Sequence, residues 1–349
     1  MIPQISILVP IFNAEQYLRQ CLDSLVQQTQ DGIEIICLDD GSTDSSPQIL
    51  KDYSAQYDNI RIISKNNSGY GDTLNTGIEL SQGEYIGIVE PDDYVDAKMF
   101  QTLFENAKNN DLDVSRCTFF NVDEITGETT EEKFSFVIKN KVYSPRNRPE
   151  VFYQQPTDWI CLYKKSFLDT NGIRFLPTPG ASYQDTSFMF KVYASADRFM
   201  MCDKPLYYYR INNNSSVKIK TSKIDCICKE YAEIWEFVRN KNETDHYKYI
   251  ITQLQFYGYK WNCIRLDEEC RKTFLQIWKK ELIKQKQNSL IRRFDYIPSD
   301  YKIIKNVMKY NEKEQPNPKC GITDTYDKKA KTLSSRFSFV ARWYIKLRT

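Results

Sequence analysis

Histidine is nearly absent: His246 is the single imidazole in 349 residues. Histidine-rich metal sites and a Ser-His-Asp triad are thereby almost excluded, and the chemistry of this chain is expected to rest on carboxylates. No apolar stretch is long enough to span a bilayer, and the N-terminus lacks the basic and apolar regions of a signal peptide, so a cytoplasmic protein is expected. Cys-x-x-Cys pairs are also missing among the ten cysteines. The tightest spacing, Cys226-x-Cys228, is too close for ordinary zinc ligation, and reduced, buried thiols are expected. A net charge of +2 supplies no broad basic field, which argues against a general nucleic-acid binder.

What is present is apolar material for a real core, 41% of residues, with room for one large or two smaller domains. Short β-branched runs at 5–12, 33–38, 60–64 and 84–90 read as buried strands. Helical spacing fills the intervals, near 14–26, 45–57 and 70–81, and again at 96–109. Asn13 followed by Gln16 looks like a capping box opening the first helix. Four strand–helix alternations call for a parallel sheet with helices on both faces. The alternation is lost over 113–145, where a Thr126-Gly127 turn is expected, and 221–310 reads as long, charged and helical. We therefore expect a domain at 1–220, a helical subdomain with linker at 221–332, and a tail at 333–349.

Two acidic clusters close buried strands: Asp39-Asp40-Gly41-Ser42-Thr43-Asp44 and Glu90-Pro91-Asp92-Asp93. Carboxylates at strand ends lie in the crevice where open α/β sheets bind ligands. A lone Asp before Gly41 would serve as a turn opener, but two adjacent carboxylates repel unless hydrogen-bond donors stand nearby. Asn67-Ser68-Gly69-Tyr70-Gly71 superficially resembles a phosphate loop, yet it lacks the third glycine of a dinucleotide fingerprint and the lysine of a P-loop.

Taken together, Ser6-Ile7-Leu8-Val9-Pro10-Ile11-Phe12-Asn13, Leu38 to Asp44, Gly83-Glu84-Tyr85-Ile86 and Asp92-Asp93 resemble the family-2 inverting glycosyltransferases of bacterial surface-polysaccharide type. The likeness is dense over 4–110 and weaker over 156–217. It implies a GT-A fold, a Rossmann-like, mostly parallel sheet with a helical C-terminal subdomain added. It implies that 1–112 binds a nucleotide-sugar and that 113–220 forms the acceptor side. Pro10, Phe12, Asn13, Asp39 and Asp40 would line the nucleotide pocket, together with Asn67 and Gly71, although Asn13 serves equally as a cap. Glu90-Pro91-Asp92 occupies the place of the family's Asp-x-Asp element, so Glu90, Asp92 and Asp93 are the candidate ligands of Mn²⁺ or Mg²⁺. Leu74 stands before Asn75 where the family often has Arg.

Ser182 to Phe188 resembles the family's Glu-Asp motif with Gln184 in place of Glu, making Asp185 the general base or, alternatively, a plain helix cap. Asp158 and Trp159 fit the segment beneath the acceptor pocket, with Trp159 stacking on a sugar or packing in the core. Lys204 to Arg210 resembles a Tyr-Tyr-Arg segment, whose Arg210 would meet the diphosphate or form a structural ion pair. In the tail, Phe337, Val340, Tyr344 and Leu347 share one helical face with Arg342 and Lys346 opposite, a pattern suited to an anionic membrane surface or to docking on the chain itself. The expected activity is transfer of a sugar, from a UDP-sugar, to a hydroxyl of a surface glycan or lipid-linked acceptor. Glu90, Gln184 and Leu74 leave a catalytically silent binding or scaffold relative as the alternative.

Overall fold

The β-branched runs form the parallel half of a sheet. In the computed structural model, which describes residues 3–134, 137–211 and 224–311, β1 (Ile5–Ile11) lies between β2 (Ile33–Asp39) and β4 (Tyr85–Ile88). β3 (Ile60–Ser64) continues the parallel order beyond β2. Every residue of β1 is buried, as a strand covered on both faces requires. The intervening helices are α1 (Leu18–Val26), α2 (Ser46–Ser54), α3 (Tyr70–Leu80) and α4 (Met99–Asn109).

Register shows which helix covers which face. Leu8 and Leu38 point at α3, where a Cβ on Gly77 would stand 2.6 Å from Leu38 Cδ1 and 3.0 Å from Leu8 Cδ1. Gly87, aligned with Ile7 on the opposite face, lies against Phe100 of α4. Both glycines let a helix settle closer than any side chain would allow.

Beyond β4 the sheet becomes mixed. β5 (Tyr94–Val95), β6 (Val114–Asp123), β7 (Thr129–Glu131), β8 (Cys161–Lys164) and β9 (Phe199–Ile211) give the order β3-β2-β1-β4-β8-β6-β9-β5, with β7 on β6. β8 is antiparallel to β4 and β6, whereas β9 runs parallel to β6. The expected turn at Thr126-Gly127 joins β6 to β7, with Gly127 at φ +71°. α5 (Lys165–Thr170) and α6 (Gln184–Ser195) complete this part.

The chain divides into two units, 1–151 with 155–213 and 152–154 with 214–349. The second contains α7 (Cys226–Asn240), α8 (Thr244–Arg265), α9 (Glu268–Gln287) and α10 (Pro298–Lys309). Its core is aromatic: Phe256 lies 5.2 Å from Tyr296 and 5.8 Å from Trp278, ring to ring. Asp267 caps α9 by accepting from Cys270 N–H at 2.8 Å. The nine described cysteines are free thiols, eight of them buried. The amphipathic tail and, of the expected subdomain with linker, residues 221–223 and 312–332 lie outside the described residues.

Candidate active site

The carboxyl ends of β1 to β4 deliver four loops to one edge of the sheet. Pro10 is the buried penultimate residue of β1, and after Ile11 the chain exposes Phe12, whose surface is 51% accessible. Asn13 takes a left-handed conformation at φ 51°. It is not the cap of α1, which starts at Leu18 after a turn in which Leu18 N–H donates to Ala14 C=O. Asn13 instead locks the next loop: its N–H donates to Ser42 Oγ at 3.0 Å and its Oδ1 accepts from Thr43 N–H at 2.8 Å. Glu15 and Asp44 repeat the exchange, each carboxylate accepting a backbone N–H beside the other, at 2.8 and 3.0 Å. The sequence reading missed this because a capping box and a cross-loop clasp use the same residue types.

Asp39 and Asp40 are both buried, but they do different work. Asp39 spends one oxygen on Ser42 N–H at 2.9 Å. Asp40 spends both: Oδ1 accepts from Lys65 Nζ at 2.7 Å and Ser68 N–H at 2.9 Å, and Oδ2 from Gly69 N–H at 3.0 Å. Burial alone would raise the Asp40 carboxyl, but the Lys65 ammonium and these two N–H groups prevail and hold it below the ordinary carboxylate value. Lys65 also meets Asp72 at 3.2 Å and Thr73 Oγ1 at 3.1 Å, and Asn67 Nδ2 donates to Asp40 C=O at 3.1 Å. The 65–69 loop is thus built around Asp40.

Glu90, Asp92 and Asp93 separate in the same way. Asp93 faces inward, accepting from Tyr207 O–H at 2.9 Å and Arg210 N–H at 2.8 Å. Asp92 is exposed, on the far side of Pro91 from Glu90. Glu90 accepts from the Tyr70 hydroxyl at 2.5 Å, and that hydroxyl also lies 3.1 Å from Asp158 Oδ2. Burial, then the charges of Asp158 and Asp92, push Glu90 well above the usual carboxylate range. Burial likewise takes Asp158 up to about 6, against the opposing Tyr70 hydrogen bond. Asp92 is raised by its crowded surroundings, with the Arg210 guanidinium opposing. Carboxyls crowded in this way repel one another's charge, and a cation brought among them would relieve that repulsion.

Asp185 stands at the first turn of α6, half-buried, and its charge acts on the hydroxyls of both Tyr70 and Tyr209. It therefore lies in the neighbourhood of the Tyr70 hydroxyl that Glu90 and Asp158 meet. Gln184, fully buried, stitches the preceding loop: Oε1 accepts from Ser182 N–H at 2.5 Å while Nε2 donates to Thr178 Oγ1 at 2.9 Å and Gly180 C=O at 3.0 Å. A carboxylate in that place would lack the donor. The stitched loop packs on 69–71, where a Cβ on Gly71 would come within 2.3 Å of Leu176 C=O. Asn75 holds the loop's approach by exchanging two hydrogen bonds with the Phe175 backbone, both 2.9 Å, and Leu74 is plain core.

Trp159 is buried and stacked on Tyr209 at 5.2 Å, so it packs rather than presenting a face to ligand. Arg210 is clamped between the rings of Tyr17 and Tyr94, at 5.0 and 5.1 Å, and reaches Gln20 Oε1. Such a clamp orients a guanidinium without neutralising it. Tyr70, Lys65, Tyr17 and Tyr94 were not flagged in the sequence. Only Lys65 carried a readable signal, a cation directly after a strand at the edge where the two acidic clusters lie.

Hard carboxylate oxygens on Asp92 and Glu90 suit Mg²⁺ or Mn²⁺, which such sites hold through one or two carboxylates plus substrate phosphates. Among the described residues no three acidic, cysteine or histidine side chains form a closed metal cage, and Asp93 has both oxygens occupied.

Residues 6–170 match Glycosyl transferase family 2. The B. subtilis glycosyltransferase EpsJ is 34% identical over 224 residues, 63% of this chain and 64% of that protein. The S. pneumoniae glycosyltransferase GlyG is 31% identical over 228 residues, 61% of this chain and 73% of GlyG. The poly(ribitol-phosphate) beta-glucosyltransferase of Bacillus spizizenii is 34% identical over 215 residues, 60% of this chain and 33% of that enzyme. The chain thus spans just under two thirds of EpsJ and one third of the poly(ribitol-phosphate) enzyme. Among solved structures, S. aureus TarS 1-349 in complex with UDP-GlcNAc shares the fold with a TM-score of 0.58 at 19% identity, covering 90% of this chain and 92% of that one. On the family match, the GlyG relationship and this shared architecture, the chain belongs to the family-2 glycosyltransferases and has their GT-A fold.

Proposed function

We propose that this chain transfers a sugar from a UDP-sugar to a hydroxyl of a bacterial surface glycan or a lipid-linked precursor of one, with inversion at the anomeric carbon. The observation that carries this reading is the meeting of Glu90 and Asp158 at the Tyr70 hydroxyl, on the sheet edge where β2 ends at Asp39 and Phe12 is exposed. The TarS structure was obtained with UDP-GlcNAc and the Bacillus spizizenii relative is a poly(ribitol-phosphate) glucosyltransferase, which supports the choice of donor and acceptor class.

In this reading Phe12 offers a ring to the base, and Asp39 accepts from the nucleoside. Asp40 is a positioning residue, since its oxygens already hold the 65–69 loop. Asn67 and Gly71 shape that loop, while Asn13 fastens it from the β1 side through the 42–44 turn. Asp92 and Glu90 would hold Mg²⁺ or Mn²⁺, which when bound offsets charge on the diphosphate. Arg210, aimed by its two tyrosines, adds a fixed positive charge to the same group.

Asp185 takes the proton of the acceptor hydroxyl as its oxygen bonds to the anomeric carbon. The carbon–oxygen bond to the diphosphate breaks on the opposite face, and its electron pair leaves with UDP. Asp158 and Gln184 support this side, the first through Tyr70 and the second through the 178–182 loop. The scaffold alternative drew on Gln184 as a lost acid, and the three hydrogen bonds of that amide give the residue a structural part in the 178–182 loop. The basic segment 336–348 would hold the enzyme at the cytoplasmic face of a membrane, near a lipid-linked acceptor.

A panel of nucleotide-sugars screened by thermal shift with and without Mn²⁺, followed by a product assay with the hits, tests the proposal. Stabilisation by one UDP-sugar and cation-dependent release of UDP are expected. Binding without turnover on any hydroxyl acceptor would favour the scaffold, and no binding would defeat the reading.

A further inference from the structure

A groove between α9 and α10, within the second unit, has a volume of about 610 Å³. It is lined by Ile283, Lys286 and Gln287 from one helix and by Lys305, Met308 and Lys309 from the other. Each set follows i, i+3, i+4 spacing, so each is a single helical face. Lys279 Nζ donates to the Tyr310 carbonyl at 2.7 Å, tying the end of α10 to an earlier turn of α9 and setting the pair antiparallel. Ile283 remains 38% accessible on the floor.

The charge around this floor has one sign. Lys286, Lys305 and Lys309 are exposed, and among the described residues none forms an ion pair. Among the described residues no acid lines the groove, and the acids between Lys279 and Lys309 are engaged elsewhere. Glu281 accepts from Gln255, Asp295 pairs with Arg292 at 2.7 Å, and Asp300 pairs with Lys260 at 2.6 Å. From Lys279 to Lys309 the sequence carries nine Lys or Arg against three Asp or Glu, in a chain whose total is only +2.

An apolar floor rimmed by ammonium groups that have no carboxylate partner among the described residues, Lys305 alone resting over the Tyr301 ring at 5.5 Å, fits a molecule with both characters. Lysine stems lie along apolar surface while their heads stay at the rim, where an anionic group meets them. A free phosphate would leave the floor wet, and an apolar peptide would leave the ammonium groups unpaired. We propose that this groove binds anionic phospholipid at a membrane surface, giving the second unit a bilayer contact of its own. The inference does not depend on the reading of the active site or of the segment 336–348.

The test uses the full chain in flotation with vesicles of phosphatidylcholine alone or mixed with phosphatidylglycerol. Binding to the mixed vesicles only is expected. Replacing Lys286, Lys305 and Lys309 with Gln should cut that binding on the order of 100-fold, since each cation near an anionic surface contributes separately. The triple Lys→Arg variant should retain binding, and Met308→Gln with the lysines intact should weaken it several-fold. Circular dichroism melting shows that each variant is folded. Unchanged binding of the folded Lys→Gln variant overturns the proposal. So does displacement of vesicles by inorganic phosphate together with indifference to Met308→Gln, which would mark a plain polyanion site. UDP affinity, measured in parallel, belongs to the active-site reading: its absence in the wild type would defeat that reading and leave the groove standing.

Discussion

Lys65 and Asp40 form an ion pair of 2.7 Å at the ligand edge of the sheet, with side chains only 18% and 6% accessible. The pair joins the end of β3 to the end of β2 and fixes the loop that leads into α3. A carboxylate so employed is structural in energy, whereas its neighbour Asp39 is the one proposed to meet the nucleoside.

Asp40→Ala should therefore lower stability by roughly 2–3 kcal/mol, the cost of leaving Lys65 and two N–H groups without their acceptor. Asp39→Asn keeps the acceptor for Ser42 and removes only the charge. It should melt like the wild type while UDP binding weakens by about 1–3 kcal/mol, as titration calorimetry would measure. The opposite pattern would exchange the two roles.

The same pair sets an acid dependence. The Asp40 carboxyl is held below its ordinary value in the folded state, so its contribution is complete above the unfolded carboxylate range and is lost as pH falls through the folded value. Denaturant titrations at stepped pH should show the wild type losing part of its stability below about pH 4. Asp40→Asn should start lower and lose less over that interval.

Gln184→Glu, which restores the residue usual in the family, should be harmful here. The new carboxylate could accept from the Thr178 hydroxyl but would leave the Gly180 and Thr178 carbonyls without their donor, at a cost of about 1–3 kcal/mol. A lower melting temperature is expected. A variant as stable and active as the wild type would show that the loop does not need the amide.

Asp92→Asn should abolish cation-dependent turnover while leaving the fold intact, because the residue is exposed and its neighbours do not depend on it. Enzyme assays with Mn²⁺, Mg²⁺ and EDTA give the readout. Activity surviving both the substitution and EDTA would remove the cation from the account.

The strand ends were legible because β-branched runs stop at turn residues, and at Asp39 and Glu90 the stop coincides with acid. What the sequence hid was division of labour. Asp40 and Asp93 look like their neighbours Asp39 and Asp92, and only the donors that fold around them, from Lys65 and Tyr207, show that they are spent internally. β9 was hidden by its own irregularity. Thr118 pairs with Pro205 where Arg116 pairs with Met201, so a bulge containing Asp203 and Lys204 breaks the period-2 pattern and admits a proline. Tyr70 could not be read at all, since its role depends on Glu90 and on Asp158, 88 residues away.

The most direct test of the proposed mechanism is the transfer rate of Asp185→Asn with the cognate UDP-sugar and acceptor. Asp185 is not the cap of α6, whose N-cap is Tyr183, and Asn keeps its shape within the first turn but cannot accept the acceptor's proton. The account predicts a fall of about 10²–10⁴-fold in transfer, with donor affinity near wild type and the melting temperature unchanged. Near-normal transfer by the folded variant would contradict it and remove Asp185 as the base.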